Sequence, residues 1–323
     1  MQYLLQKILD AHFQMEPFKH IYIDNFFNED DFSFLTNHPQ LKLPSVSSDQ
    51  ELCQTLTARG WNPISFPGCT TDPNSYIQWH SGASKQYVNV DTCEGFGMAY
   101  RLNTTANERL QEFRDFFLSD DFFRVLAERL DIDFEQTTKD SGIQKYLDGY
   151  EISPHPDIRK KAVTFMVNIN PGSDSEILDH HTHYLRFKPE WEYVRHYWAG
   201  NPHVDTCWTP WAWCETVYCQ NKNNSIVIFS PNASTMHGVR ANYDHLPAQR
   251  TQIYGNLWYK ENPATTFIPC WENFVISLTE QRLNGSNHDN QQKPQKPEVS
   301  GLHKLLRRIK NKSKSLRKKI LHI

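Results

Sequence analysis

At Gly142 the hydrophobic period of this chain changes from that of helices to that of strands, and this change constrains the second half to a β-rich core. Residues 143–150 and 162–169 each place apolar side chains on alternate positions, and residues 225–230 and 250–259 read as further strands. Upstream, Leu110, Phe113, Phe116 and Phe117, then Phe122, Phe123, Val125, Leu126 and Leu130, recur at helical spacing. Ser119-Asp120-Asp121 between the two groups marks a fresh helix start. Residues 1–10 read as a short amphipathic helix, His20 to Ile23 as a strand, and residues 25–35 as a loop entering a helix with an acidic start. Residues 38–100, rich in Pro, Ser, Thr and aromatics, show no sustained helical period and are expected to be irregular or strand-rich. Helices followed by many short strands predict a mainly β fold with flanking helices, a sandwich or jelly roll.

The resulting organisation is a single domain over residues 1–280, a flexible linker over 281–300 and a basic amphipathic tail over 301–323. Within the domain, 1–140 is helical and irregular, 141–260 is the strand-rich core, and 171–224 is expected to be an insertion. The tail holds nine Lys and Arg and no acidic residue, so residues 1–300 carry 25 basic against 37 acidic groups. An acidic body argues against a nucleic-acid groove, whereas the tail suits an anionic membrane surface or an acidic partner. No run of about 18 apolar residues is present to span a bilayer. Seven cysteines without a C-x-x-C pair indicate neither a structural zinc nor a redox pair, and a reduced cytoplasmic setting is expected.

The chemistry concentrates in Ser153-Pro-His155-Pro-Asp157. On an extended strand His155 and Asp157 project from one side and can close on a metal ion, with His237 after the apolar run at 225–230 as the distant third ligand. Two imidazoles and a carboxylate on one face of a divalent iron leave positions open, the arrangement of non-haem Fe(II) oxygenases, although zinc accepts the same atoms. Arg250, thirteen residues after His237, can grip a carboxylate bidentately.

The pattern Tyr146-x-x-Gly149, His155-x-Asp157, Lys161-Ala-Val-Thr164, His237-Gly-Val and Arg250 resembles the 2-oxoglutarate and Fe(II)-dependent oxygenases, in particular their prolyl 4-hydroxylase-like branch. The likeness spans roughly residues 106–260. It implies a double-stranded β-helix (a cupin-like jelly roll), with His155, Asp157 and His237 on the iron and Arg250 on the far carboxylate of 2-oxoglutarate. It also implies a 2-oxoglutarate pocket lined by Tyr146 and Thr164, O2 as oxidant, and ascorbate as a supporting reductant. The presence of Asp157 favours hydroxylation over halogenation, and Asn256 stands where nucleic-acid demethylases of the superfamily carry a second Arg.

Three departures are visible: the stretch from Asp157 to His237 is long, the spacing from His237 to Arg250 is long, and Gln252 stands where a Ser is common, so Arg240 is a rival anchor to Arg250. The implied activity is hydroxylation of an unactivated C–H in a small-molecule, sugar or lipid-linked substrate, with a prolyl or peptidyl hydroxylase as the alternative. A cupin-like binding or sensor protein without turnover is the reading from a different class. Elsewhere, His180, His181 and His183 read as a polar loop, and Trp208, Trp211 and Trp213 as packing within the insertion. Lys160 and Lys161 read as exposed, and Cys214 and Cys219 as buried thiols.

Overall fold

The computed structural model describes residues 1–65, 67–82 and 96–261. The linker expected at 281–300 and the tail at 301–323 lie outside the described residues.

The helices are α1 (Gln2–Asp10), α2 (Glu29–Asn37), α3 (Asp49–Ala58), α4 (Pro73–Ser81), α5 (Glu108–Phe116), α6 (Asp120–Leu130) and α7 (Glu192–Gly200). Short polar residues cap several of them. Ser119 Oγ accepts from Phe122 N–H at the head of α6, where the sequence predicts a start. The helices α3 and α4 overturn the helix-free expectation for 38–100. Each is too short, at 10 and 9 residues, to show a sustained period, and each owes its start to a cap, Ser48 accepting from Glu51 N–H and Asp72 from Asn74 and Ser75 N–H.

The strands are β1 (Phe13–Gln14), β2 (His20–Ile23), β3 (Trp61–Pro63), β4 (Ala99–Leu102), β5 (Thr137–Tyr146) and β6 (Glu151–His155). They continue with β7 (Lys161–Asn168), β8 (Thr182–Phe187), β9 (Cys214–Cys219), β10 (Ile226–Phe229), β11 (His237–Arg240) and β12 (Arg250–Tyr259). One sheet runs β1-β2-β10-β7-β12-β5-β4-β3 and the other β6-β11-β8-β9, and every paired neighbour is antiparallel. The last eight strands follow the order of a double-stranded β-helix, β10-β7-β12-β5 in one sheet and β6-β11-β8-β9 in the other, changing sheet at every connection except that between β8 and β9. This is the expected jelly roll, with β1 to β4 widening the larger sheet.

That strand order corrects the expected insertion at 171–224. The stretch supplies β8 and β9, half of the smaller sheet, so only the connection between them, with α7, is added to the eight-strand plan. β9 buries mainly its ends and exposes its middle, which hides its alternation.

The outer face of the larger sheet is covered by helices. Val163, Phe165 and Val167 of β7 join Phe117, Phe122 and Phe123 in the principal core, burying on the order of 2 kcal/mol per side chain. The alternate residues of the same strand, Thr164, Met166 and Asn168, are equally buried but belong to the inner face. Between β5 and β6 the chain turns at Gly149, whose φ of +77° and 2.3 Å approach of a would-be Cβ to the Trp79 ring admit no side chain.

Candidate metal centre and its cavity

His155 ends β6 and His237 begins β11, and the two are direct partners across that antiparallel pair. Their ring centroids are 4.3 Å apart. Asp157 does not share the strand with His155, as the sequence-level picture of one extended segment requires. Pro156 has no N–H to continue the ladder, and Asp157 adopts φ +69°, a left-handed conformation that Asp tolerates better than most residues. The turn swings its carboxylate between the imidazoles, with Oδ1 3.7 Å from His155 Nε2 and Oδ2 3.7 Å from His237 Nε2. All three residues are buried, and their ligand atoms lie within 4.8 Å of one another.

The donor set fits a divalent metal. His155 Nδ1 lies 2.8 Å from the Ser153 carbonyl and His237 Nδ1 2.9 Å from the Thr235 carbonyl. A carbonyl only accepts, so each Nδ1 carries the hydrogen and each Nε2 turns a lone pair toward Asp157. Burial, reinforced by the neighbouring His155, pushes His237 down to about 3, so this imidazole is neutral at ordinary pH. Burial alone would push Asp157 up, but Lys161, His237 and His155 hold it well below the usual carboxylate range. The site therefore offers two imidazole nitrogens, that of His237 neutral, and one anionic oxygen.

A cavity opens over these ligands, walled by residues of both sheets. Arg250 enters it from the start of β12, 3% exposed, with Nη2 donating to Thr182 Oγ1 at 2.9 Å. Tyr146, its direct partner on β5, places its ring 4.7 Å from the guanidinium carbon. Burial lowers the pKa of Arg250, and among the described residues no carboxylate lies within salt-bridge distance of it. A buried, forked cation without a counter-ion suits the free carboxylate of a small acid. Arg240 does not line this cavity: its Nη2 donates to Glu151 Oε1 at 2.8 Å and its guanidinium lies 5.1 Å from the Trp211 ring.

Other expectations need correcting. Thr164, expected in the 2-oxoglutarate pocket, does not line the cavity; its hydroxyl sits 2.8 Å from Asp157 Oδ2 and 3.1 Å from Asn256 Oδ1. Lys161, expected to be exposed, is half-buried with its ammonium 2.5 Å from Asp157 Oδ1 and 2.9 Å from the Tyr254 hydroxyl. Strand alternation from Val163 would send Lys161 outward; the bulge that pairs it with Trp258 directly after Val163 pairs with Leu257 turns it inward, and its neighbour Lys160 is exposed. His180 and His181 form no polar loop: burial first, then adjacent positive charge including that of Arg250, pushes them down to about 2 and about 4. Trp208 lines the cavity, whereas Trp213 stacks on Trp191 at 4.1 Å and Trp211 Nε1 donates to Glu151 Oε1 at 2.7 Å. Gln252, Tyr254 and Trp258 of β12 also face the cavity, and only their place on the same alternate register as Arg250 could have singled them out.

A second group, Asp49, His80 and His245, brings possible ligand atoms equally close. It closes as a hydrogen-bond network: His245 Nδ1 accepts from Asp148 N–H at 3.3 Å, so Nε2 holds the proton and donates to Asp49 Oδ1 at 2.8 Å.

No family model matches the chain, and no curated protein matches it. Among solved structures it is similar to a prolyl-4-hydroxylase from Pseudomonas putida, with 9% identity, 80% of this chain and 98% of that one covered, and a TM-score of 0.38. It is similar also to a prolyl hydroxylase from Trichoplax adhaerens in complex with a fragment of hypoxia inducible factor, with 12% identity, 80% and 89% covered, and a TM-score of 0.37. HygX from Streptomyces hygroscopicus, solved with nickel, 2-oxoglutarate and hygromycin B, is similar at 7% identity, 84% and 94% covered, and a TM-score of 0.34.

Proposed function

We propose that the chain is an Fe(II)- and 2-oxoglutarate-dependent dioxygenase that hydroxylates a C–H bond of a small molecule. The observation that carries this reading is the pairing, in one cavity, of a buried His-Asp-His set with a buried arginine that has no carboxylate partner among the described residues. The ligand set would hold the metal and leave part of its coordination shell open, as oxygenases require. Bound Fe(II) and 2-oxoglutarate would supply the oxidising chemistry, with O2 consumed, the co-substrate converted to succinate and CO2, and one oxygen atom delivered to the substrate.

The residues of the chain do the rest. His155 Nε2, Asp157 and His237 Nε2 would hold the metal, with their orientations fixed by the Ser153 and Thr235 carbonyls and by the Thr164 hydroxyl. Arg250, steadied by Thr182 and by the face of Tyr146, would take the far carboxylate of the co-substrate. Ile152, Met166 and Val239 line the same cavity and exclude water from it. Trp208 and Trp258 line the same cavity and offer apolar surface to a small molecule beside the co-substrate.

The test is anaerobic addition of Fe(II) and then 2-oxoglutarate to the full chain. A visible charge-transfer band is expected in the wild type and is expected to vanish in His155→Ala and in Asp157→Asn. Asn tolerates the left-handed backbone at this position, so the second variant isolates the lost charge. A wild-type protein that forms no band and releases no succinate in air overturns the proposal.

A further inference from the structure

Beyond the metal ligands and Arg250, the described residues lining the cavity include one more charged group, Lys161. Its half-buried ammonium lies beside β12, 5.7 Å from the ring centroid of Tyr254 and 5.6 Å from that of Trp258. Two of its three protons have acceptors, Asp157 Oδ1 at 2.5 Å and the Tyr254 hydroxyl at 2.9 Å. Among the described residues the third has none, and the side chain lines the cavity.

The charges of the site then follow by inspection. Asp157 cancels Lys161, and a divalent metal cancels a doubly negative 2-oxoglutarate, which leaves the positive charge of Arg250 over. Equivalently, Arg250 and Asp157 suffice to balance the metal and its co-substrate, and among the described residues lining the cavity Lys161 is a surplus cation. An unbalanced charge shielded from water is costly until an anion joins it. Pro67, Ile158, Trp208 and Trp258 make the neighbouring wall apolar.

The geometry points to Lys161 as the determinant of substrate class: the molecule oxidised is a small carboxylic acid with an apolar body, its carboxylate on the Lys161 ammonium and its body against Trp208 and Trp258. This inference rests on the oxygenase reading, because it takes the metal and 2-oxoglutarate as already seated. A charge-assisted hydrogen bond of this kind gives the acid an advantage over its uncharged amide of about tenfold or more in affinity.

The experiment uses the full chain loaded anaerobically with Fe(II) and saturating 2-oxoglutarate, its loading confirmed by the charge-transfer band. Phenylacetate, 4-methylpentanoate and cinnamate are titrated against their primary amides, with tryptophan fluorescence and calorimetry as readouts. At least one acid is expected to bind about tenfold tighter than its amide in the wild type, and Lys161→Met is expected to abolish that preference while the amide binds as before. Absence of the band defeats the oxygenase reading itself, whereas a loaded protein that binds acid and amide equally, or binds no member of the panel, defeats only the present inference. It is overturned as well if acid binding is displaced by added 2-oxoglutarate, which would put the acid on Arg250. A Lys161→Met protein that loosens the metal yet keeps the acid preference would reduce Lys161 to a support for Asp157 and would likewise overturn it. The comparison within the wild type does not depend on any variant folding.

Discussion

Replacing Lys145 with Met should stabilise the protein at neutral and mildly acidic pH. Lys145 lies on β5 next to Tyr146, but its side chain points away from the cavity, toward Trp61, and is fully buried. Its ammonium has one oxygen partner, Thr251 Oγ1 at 2.8 Å, and the Trp61 ring at 5.2 Å; among the described residues it makes no ion pair. Burial therefore pulls its pKa from 10.5 down to about 7. Between those values the unfolded chain binds a proton that the folded chain does not, so this group makes stability rise with pH across the window and imposes its full penalty below it. At about 1.4 kcal/mol per pH unit the penalty below pH 7 is roughly 5 kcal/mol, a large share of a typical folding free energy. Met fills similar space without charge, at the loss of about 1 kcal/mol for the Thr251 hydrogen bond and about 1–2 kcal/mol for the contact with Trp61. The net gain expected at pH 6 is about 2–3 kcal/mol. Urea unfolding of the metal-free wild type and Lys145→Met at pH 6, 8 and 10 measures it, and the difference between the proteins cancels the other titrating groups. The advantage of the variant should shrink steadily and disappear near pH 10. A variant that is equally destabilised at pH 6 and pH 10 would refute the reasoning, because it would mean that the ammonium is paired in the folded state.

Arg250→Ala should weaken 2-oxoglutarate by about tenfold to a hundredfold, with little change in metal affinity, while Arg240→Ala leaves both nearly unchanged; calorimetric titration of each ligand separates the two. Thr164→Val removes the hydroxyl beside Asp157 Oδ2, and metal affinity should fall about tenfold while 2-oxoglutarate binding to the loaded protein is retained. Ser48→Ala should cost about 1 kcal/mol in thermal or urea unfolding, through loss of the cap on α3, and leave metal binding unchanged.

What the sequence made legible follows the length over which a pattern repeats. The alternation of Val163, Phe165, Val167 and Ile169 persists long enough to declare a strand, and Ser119 marks a helix start because a strong amphipathic run follows it. β9 has six residues and a mostly exposed middle, and α3 and α4 last barely three turns, so each carries too few repeats to stand out. His155, Asp157 and His237 were legible because their side-chain chemistry is rare in combination. Lys161 was not, since a lysine beside another lysine is ordinarily solvated, and only the bulge in the pairing of β7 with β12 brings its charge to Asp157. Thr164 was placed in the right neighbourhood and given the wrong contact, because sequence position does not say which side of a carboxylate a hydroxyl meets.

The site depends on registers more than on any single strand. His155 and His237 face each other across β6 and β11, and Tyr146 and Arg250 face each other across β5 and β12, so each sheet contributes one cross-strand pair to the same cavity. A slip of one residue in either pairing would turn its members to the opposite face. The apolar residues set those registers: Ile253 must stay opposite Ile143 on the helix-covered face for Arg250 to point inward, and both are buried in the principal core. The positions of the metal and co-substrate groups are therefore tied to hydrophobic packing on the far side of the larger sheet, which accounts for a polar site being held so firmly inside a jelly roll.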